Sequence, residues 1–241
     1  MRMRFFAAPA LAVVACSGLM VFATPPPAGN GAIIGKVTYA GTAPKMHPID
    51  MSTESSCAKQ HVRPVLTQDV STGPGNTLQS VLVYISAGDE GTKTPSQGVR
   101  YDQNGCEYFP HILPMVAGQE LQIFNDDQTS YHIHPLAKVN REWNKPQAPG
   151  SLPMVTRWDK PEFISVKCDI HPWMQGYFVV LKTSHYAVTG DDGAFSITGL
   201  PPGKYAVTAW QEQYRSKSQQ VTIAGSETKT ANFIFGATPQ R

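Results

Sequence analysis

The stretch VTGDDGAFSITGLPPGKYAVTAW, residues 188–210, decides the fold. Asp191-Asp192-Gly193 is a turn, residues 194–198 a short β-type run, Leu200-Pro201-Pro202-Gly203 a second turn, and residues 204–210 a further run. In that last run Tyr205, Val207 and Ala209 alternate with Ala206 and Thr208, the period of a half-buried strand. The acidic turn lacks the further oxygen ligands that a calcium loop requires, so a tight hairpin turn is expected. Working outward, similar runs recur at residues 33–39, 78–86, 120–125, 162–168, 177–182, 219–224 and 230–235. No window carries a 3.6-residue apolar stripe of ten residues. With 20 Gly, 20 Pro and only 16% charged residues, a helical bundle is excluded and an all-β chain of stacked sandwiches is expected.

The chain opens MRMRFFAAPALAVVACSGLMVFA, a basic start followed by an apolar run and a small-residue end. This predicts a signal peptide over residues 1–23, cleaved after Ala23, and a periplasmic or cell-surface location. Val13-Val14-Ala15-Cys16 also resembles a bacterial lipobox, which would make Cys16 a lipid anchor and the one membrane attachment. A retained membrane helix is opposed by Pro9 and the short apolar length. The formal charge is +2, but Arg2 and Arg4 fall in the leader, and without them 18 basic groups face 18 acidic ones. Nothing there steers the protein to nucleic acid.

Cleavage leaves Cys57, Cys106 and Cys168. An odd number in an exported chain leaves one thiol free to bind metal. Cys57 and Cys106 have no ligand-like neighbours at close spacing, so they are expected to pair as a disulfide closing a long loop, with Cys168 left over.

Cys168 begins the run CDIHPWM, residues 168–174, in which Cys168, His171 and Met174 follow at three-residue intervals between two strands. A thiolate, an imidazole and a thioether in one loop suit copper, and two histidines with one cysteine and a long methionine bond make the blue-copper arrangement. The second histidine is expected from NDDQTSYHIH, residues 125–134, which offers His132 and His134 on one strand face. Asp126 and Asp127 in that loop are expected to be solvated turn residues. His111 is expected to be structural, and His47, His61 and His185 ordinary surface or turn residues.

Two resemblances extend this reading. Residues 187–235 resemble the carboxypeptidase regulatory-like domain, a small transthyretin-like sandwich, and GAIIGKVTYAGTAPK near the other end resembles that domain's first strand and turn, with SVLVYISAG resembling its next strand. Between them, FPHILPMVAGQELQIFNDD, the histidine loop and VKCDIHPWMQGYFVV resemble a cupredoxin whose short ligand loop is similar to that of amicyanin. The combination resembles a group of bacterial exported proteins that includes some methylamine utilisation proteins. The implied organisation is residues 31–96 as the N-terminal strands of the regulatory-like sandwich, 97–182 as an inserted cupredoxin-like domain and 187–236 as the remainder of the first.

The resemblance implies one type 1 copper ion held by His132, Cys168 and His171 with Met174 as distant axial ligand, and single-electron transfer to redox protein partners; the sequence shows no nucleophile with a base beside it, no phosphate loop and no zinc-peptidase motif, so no enzyme activity is expected. Registration with the family's S-H-N-I-H-P pattern, however, sets Tyr131 on the usual ligand and His132 on the asparagine. Three outcomes stay open: a one-residue shift so that His132 binds, His134 as its substitute, or an incomplete site. Trp173 beside the ligands is either a docking patch for a redox partner or a hydrophobic cover. The rival functions are copper storage or delivery, and a cell-surface binding module in which Trp210 and Tyr214 stack on carbohydrate.

Overall fold

The computed structural model describes residues 30–90 and 92–236, so the expected leader and Cys16 lie outside the described residues. The chain is all-β, with nineteen strands among the described residues and only a one-turn helix, Ser55–Ala58, and a 3-10 turn, Pro74–Asn76. No helix among the described residues is long and apolar enough to cross a membrane.

Two sandwiches are present. In the first, Gly31–Ala40 lies antiparallel to Ala194–Leu200, with Ile33 opposite Ile197, and runs parallel to Thr228–Thr230 and Phe233–Gly236. The facing sheet is ordered Tyr186–Val188, Leu82–Ala87, Gly203–Gln211, Arg215–Ile223. Strands from both ends of the chain therefore interleave, and their inward residues Ile33, Val37, Val83, Val207 and Phe235 form one core. Each such buried aliphatic or aromatic side chain contributes roughly 1.5–3 kcal/mol. Gly35 is required where the first strand passes its parallel neighbour, because a Cβ there would lie 1.9 Å from the Ala231 carbonyl oxygen.

The second sandwich is the insert. Its five-stranded sheet is ordered Lys145–Gln147, Tyr131–Pro135, Glu162–Cys168, Gln175–Leu181, Ile112–Val116, and its four-stranded sheet Met154–Arg157, Glu120–Asn125, Val99–Asn104, Glu107–Phe109. Tyr101, Leu121 and Ile123 from one sheet meet Ile133, Ile164, Val166 and Phe178 from the other.

The expected boundary at residue 97 needs correcting. Met51 and Cys57 are buried in the second core, with Ile49 and Val65 packed against it, and a bridge between Pro48 and Leu66 closes this excursion. A segment that lies before the first sandwich's own strand Leu82–Ala87 thus belongs to the insert.

Between the sandwiches, Leu82, Ile112, Val179 and Leu181 form a third apolar cluster. The Trp210 ring lies 4.9 Å from Phe163 and 5.1 Å from Tyr177, while Tyr214 packs 5.6 Å from Tyr39. The two aromatic side chains that the rival reading would stack on a sugar are thus half-buried and packed against other rings. His111 is structural as expected: its Nε2 lies 2.6 Å from Glu212, a buried pair that ties the insert to the first sandwich.

Candidate metal centre

The strand Glu162–Cys168 alternates so that Ile164, Val166 and Cys168 point inward. It ends in a loop closed by two backbone bonds, Cys168 N–H donating to the Met174 carbonyl at 3.1 Å and Met174 N–H to that of His171 at 3.0 Å. This brings Cys168 Sγ to 3.6 Å from His171 Nδ1, with both side chains buried, at 2% and 1% exposure. With bonds of about 2.3 Å to sulfur and 2.0–2.1 Å to nitrogen, that 3.6 Å separation subtends about 110° at a shared ion, a tetrahedral angle. Burial lowers the His171 pKa, which favours the neutral imidazole that a metal needs. His171 Nε2 is buried without a hydrogen-bond partner. Met174 is buried in the same core.

The histidine strand is arranged differently from expectation. Along Tyr131–Pro135 the buried residues are Tyr131, Ile133 and Pro135, so strand alternation sends His132 and His134 to the other face. His134 is held there by Asp169, at 3.2 Å from Nδ1, and by Glu142, at 2.9 Å from Nε2. His132 stands opposite Pro146 across the edge strand, and its carbonyl accepts a bond from Asp169 N–H at 3.0 Å. The inward place beside His171 belongs to Tyr131, whose ring meets the imidazole edge-on at 5.2 Å. Of the predicted set, Cys168, His171 and Met174 share one buried loop, and neither His132 nor its substitute His134 joins them on the inner face.

Tyr131 is a weak donor in this setting. Its hydroxyl donates to Asp127 and lies 3.3 Å from Cys106 Sγ. Burial first, and the Asp127 carboxylate second, push its pKa far above the ordinary phenol value, so it stays neutral. The second imidazole of a blue-copper set is therefore missing from the inward-facing residues, whereas the donor types of Cys168, His171 and Met174 suit a cuprous ion.

Two features beside the loop complete the centre. Cys57 and Cys106 form the expected disulfide, and Cys168 is the free cysteine among the described residues. One ligand atom from each of Cys57, Cys106 and His171 lies within 4.8 Å of the others. Cys106 is presented by a two-residue hairpin in which Gly105 and Cys106 have φ of 65° and 55°. This left-handed pair is the type I′ geometry, unfavourable for a side chain bearing Cβ and held here by Asp127. Asp127 is 5% exposed and accepts the Gly105 and Cys106 N–H groups, each at 3.0 Å. It is not the solvated turn carboxylate expected from the sequence, while Asp126 beside it pairs with Arg100 at 2.7 Å and is partly exposed. Asp127 was missed because two adjacent aspartates look alike until the Gly105-Cys106 turn is placed opposite one of them. Trp173 donates its indole N–H to the Cys106 carbonyl at 3.1 Å and packs 5.2 Å from His171, covering the centre.

Residues 174–235 match the carboxypeptidase regulatory-like domain. That match covers about a quarter of the chain and reaches from the end of the metal loop to the last strand. No curated protein matches the chain. Among solved structures, a Cu-containing nitrite reductase from Thermus scotoductus SA-01 is similar at 16% identity and TM-score 0.34, over 41% of this chain, which spans 25% of the reductase. A purple cupredoxin from Nitrosopumilus maritimus is similar at 18% identity and TM-score 0.30, over 34% of this chain and 99% of its own. An amicyanin variant in its Cu(I) form is similar at 15% identity and TM-score 0.32, over 41% of this chain and 98% of its own.

Proposed function

We propose that this chain is an exported copper-binding protein that holds one cuprous ion at Cys168, His171 and Met174. The observation that carries this reading is the buried Cys168 Sγ facing His171 Nδ1 at 3.6 Å in a loop fixed by its own backbone bonds. Soft thiolate and thioether ligands with one imidazole favour Cu(I), and copper bound there supplies a one-electron couple. Tyr131, neutral and inward, favours capture and delivery over a blue electron carrier, because the second imidazole of the blue site is on the outer face. Export is supported by the basic and apolar leader in the sequence and by the disulfide, which persists in an oxidising compartment. The partners on this reading are proteins that donate and accept copper.

The test is competition for Cu(I) against a chromophoric chelator, with ascorbate as reductant so that the disulfide stays intact. The expected result is one equivalent bound, an affinity at least about 100-fold weaker in Cys168→Ser, and no change in His132→Ala. Stoichiometric, unweakened Cu(I) binding by Cys168→Ser would refute it. A strong blue thiolate band in the Cu(II)-loaded natural protein would mark the electron carrier instead. Tyr131→His is expected to create that band, since it places an imidazole where the phenol now meets His171.

A further inference from the structure

We propose that Cys57, Cys106 and His171 form a second soft-metal site that the disulfide keeps closed, and that reduction of the disulfide opens it. The three side chains converge from separate parts of the chain: the one-turn helix Ser55–Ala58, the Gly105-Cys106 turn and the metal loop. Their ligand atoms lie within 4.8 Å of one another, and all three residues are buried. Cys57 and Cys106 are now bonded to each other; once that bond is broken and the sulfurs separate, two thiolates and the neighbouring imidazole would be a donor set for a d10 ion such as Cu(I) or Zn(II), with a fourth position left to solvent or another ligand.

Two further observations point to a ligand there. His171 Nε2 is buried with no hydrogen-bond partner, although buried polar atoms are nearly always satisfied. Cys106 also lines a cleft of about 290 Å3 together with Trp173 and Met174, and the same cleft is bordered by the exposed Gln175 and Gln213. The cleft thus reaches the Cys106 residue beside the loop that carries His171. Gln60 Nε2, 3.9 Å from Cys106 Sγ, is placed to donate to a thiolate once it forms.

The opening step is thiol–disulfide exchange with a dithiol reductant. One thiolate of the reductant attacks a sulfur of the Cys57–Cys106 pair, the mixed disulfide is resolved by its second thiol, and the reductant leaves as its own disulfide. Two electrons and two protons pass to Cys57 and Cys106, and the thiol protons go to solvent when an ion binds. The site shares His171 with the Cu(I) reading above but not Cys168, so Cys168→Ser removes the thiolate of that reading and leaves these three ligands in place.

The experiment uses the full chain carrying Cys168→Ser, which removes the other thiol. Protein reduced with dithiothreitol and desalted without oxygen is titrated with Co2+ and then with Zn2+, beside the same protein left oxidised. The expected result is one equivalent of Co2+ with thiolate charge-transfer absorption, displaced by Zn2+, in the reduced form and none in the oxidised form. His171→Ala in the reduced protein is expected to weaken binding at least about 10-fold, and Cys57→Ser with Cys106→Ser to abolish it. Circular dichroism follows the fold through reduction. Equal binding by the oxidised form, no binding by the reduced form, unchanged affinity in His171→Ala, or loss of the β spectrum on reduction would each overturn the proposal. Cu(I) binding by oxidised natural protein is measured separately, so failure here leaves that result standing.

Discussion

Asp127→Ala separates two adjacent carboxylates that the sequence makes look equivalent. Asp127 accepts the Gly105 and Cys106 N–H groups and the Tyr131 hydroxyl, all from a site 5% exposed. Truncation leaves the two backbone N–H groups without an acceptor and the Tyr131 hydroxyl with only the weakly accepting Cys106 Sγ, at about 1–3 kcal/mol for each lost bond. Local relaxation and water entry recover part of this, so the expected loss is about 4 kcal/mol. Asp126 makes one ion pair with Arg100, whose side chain is half exposed, and Asp126→Ala should cost about 0–1 kcal/mol. Tyr131→Phe removes one of the three donors and should fall between them, near 1–2 kcal/mol. Urea denaturation of the oxidised protein, followed by far-ultraviolet circular dichroism, reads all three. Equal losses at residues 126 and 127, or a loss below about 1 kcal/mol for Asp127→Ala, would refute the claim that this carboxylate holds the cysteine turn.

Two further outcomes follow from particular contacts. Glu162 accepts the backbone N–H groups of Lys138, Val139 and Asn140; burial works to raise its pKa, but these bonds prevail and lower it. A carboxyl whose folded pKa is depressed stabilises the fold above its unfolded value and loses that stabilisation as pH falls through the folded one. Stability should therefore decline below about pH 4.5, and Glu162→Gln should flatten that acid limb in urea titrations between about pH 3 and 6. Removing the disulfide with Cys57→Ser and Cys106→Ser frees a 49-residue separation, for which chain entropy gives a loss of about 4 kcal/mol, measured by the same denaturation. That is within the usual stability of a domain, about 5–15 kcal/mol, so the reduced protein is expected to remain folded.

How far the sequence could be read depended on which faces of each strand are covered. Glu120–Asn125 and Glu162–Cys168 were legible to the residue because one face of each is buried and the other is not, and the alternation survives in the letters. Ile112–Val116 was not legible, since all five residues are buried between the insert's core and the inter-sandwich cluster, and Pro114 breaks the pattern. Proline is tolerated there because the strand is at the edge of its sheet. The excursion around Met51 and Cys57 carries no strand period either; a disulfide ties it to the insert and one bridge closes it on itself, and neither contact leaves a local signal. The cysteine pairing itself was legible, because Cys168 was the thiol with ligand-like neighbours.

The candidate metal centre divides along the same line. Cys168, His171 and Met174 lie within one loop, so their proximity is a matter of local chain geometry and spacing reveals it. The remaining position comes from another strand, where a shift of one residue exchanges the inner and outer faces. His132 and Tyr131 are neighbours in sequence and opposites in space, and only the pairing of Tyr131–Pro135 with Glu162–Cys168, Ile133 opposite Cys168, decides between them. That register puts a neutral phenol, tied to Asp127, where a second imidazole would complete a blue site. The chemistry the centre favours thus rests on a parity that no count of histidines contains. Among the described residues, His171 is left as the histidine that lies against the free thiol of Cys168.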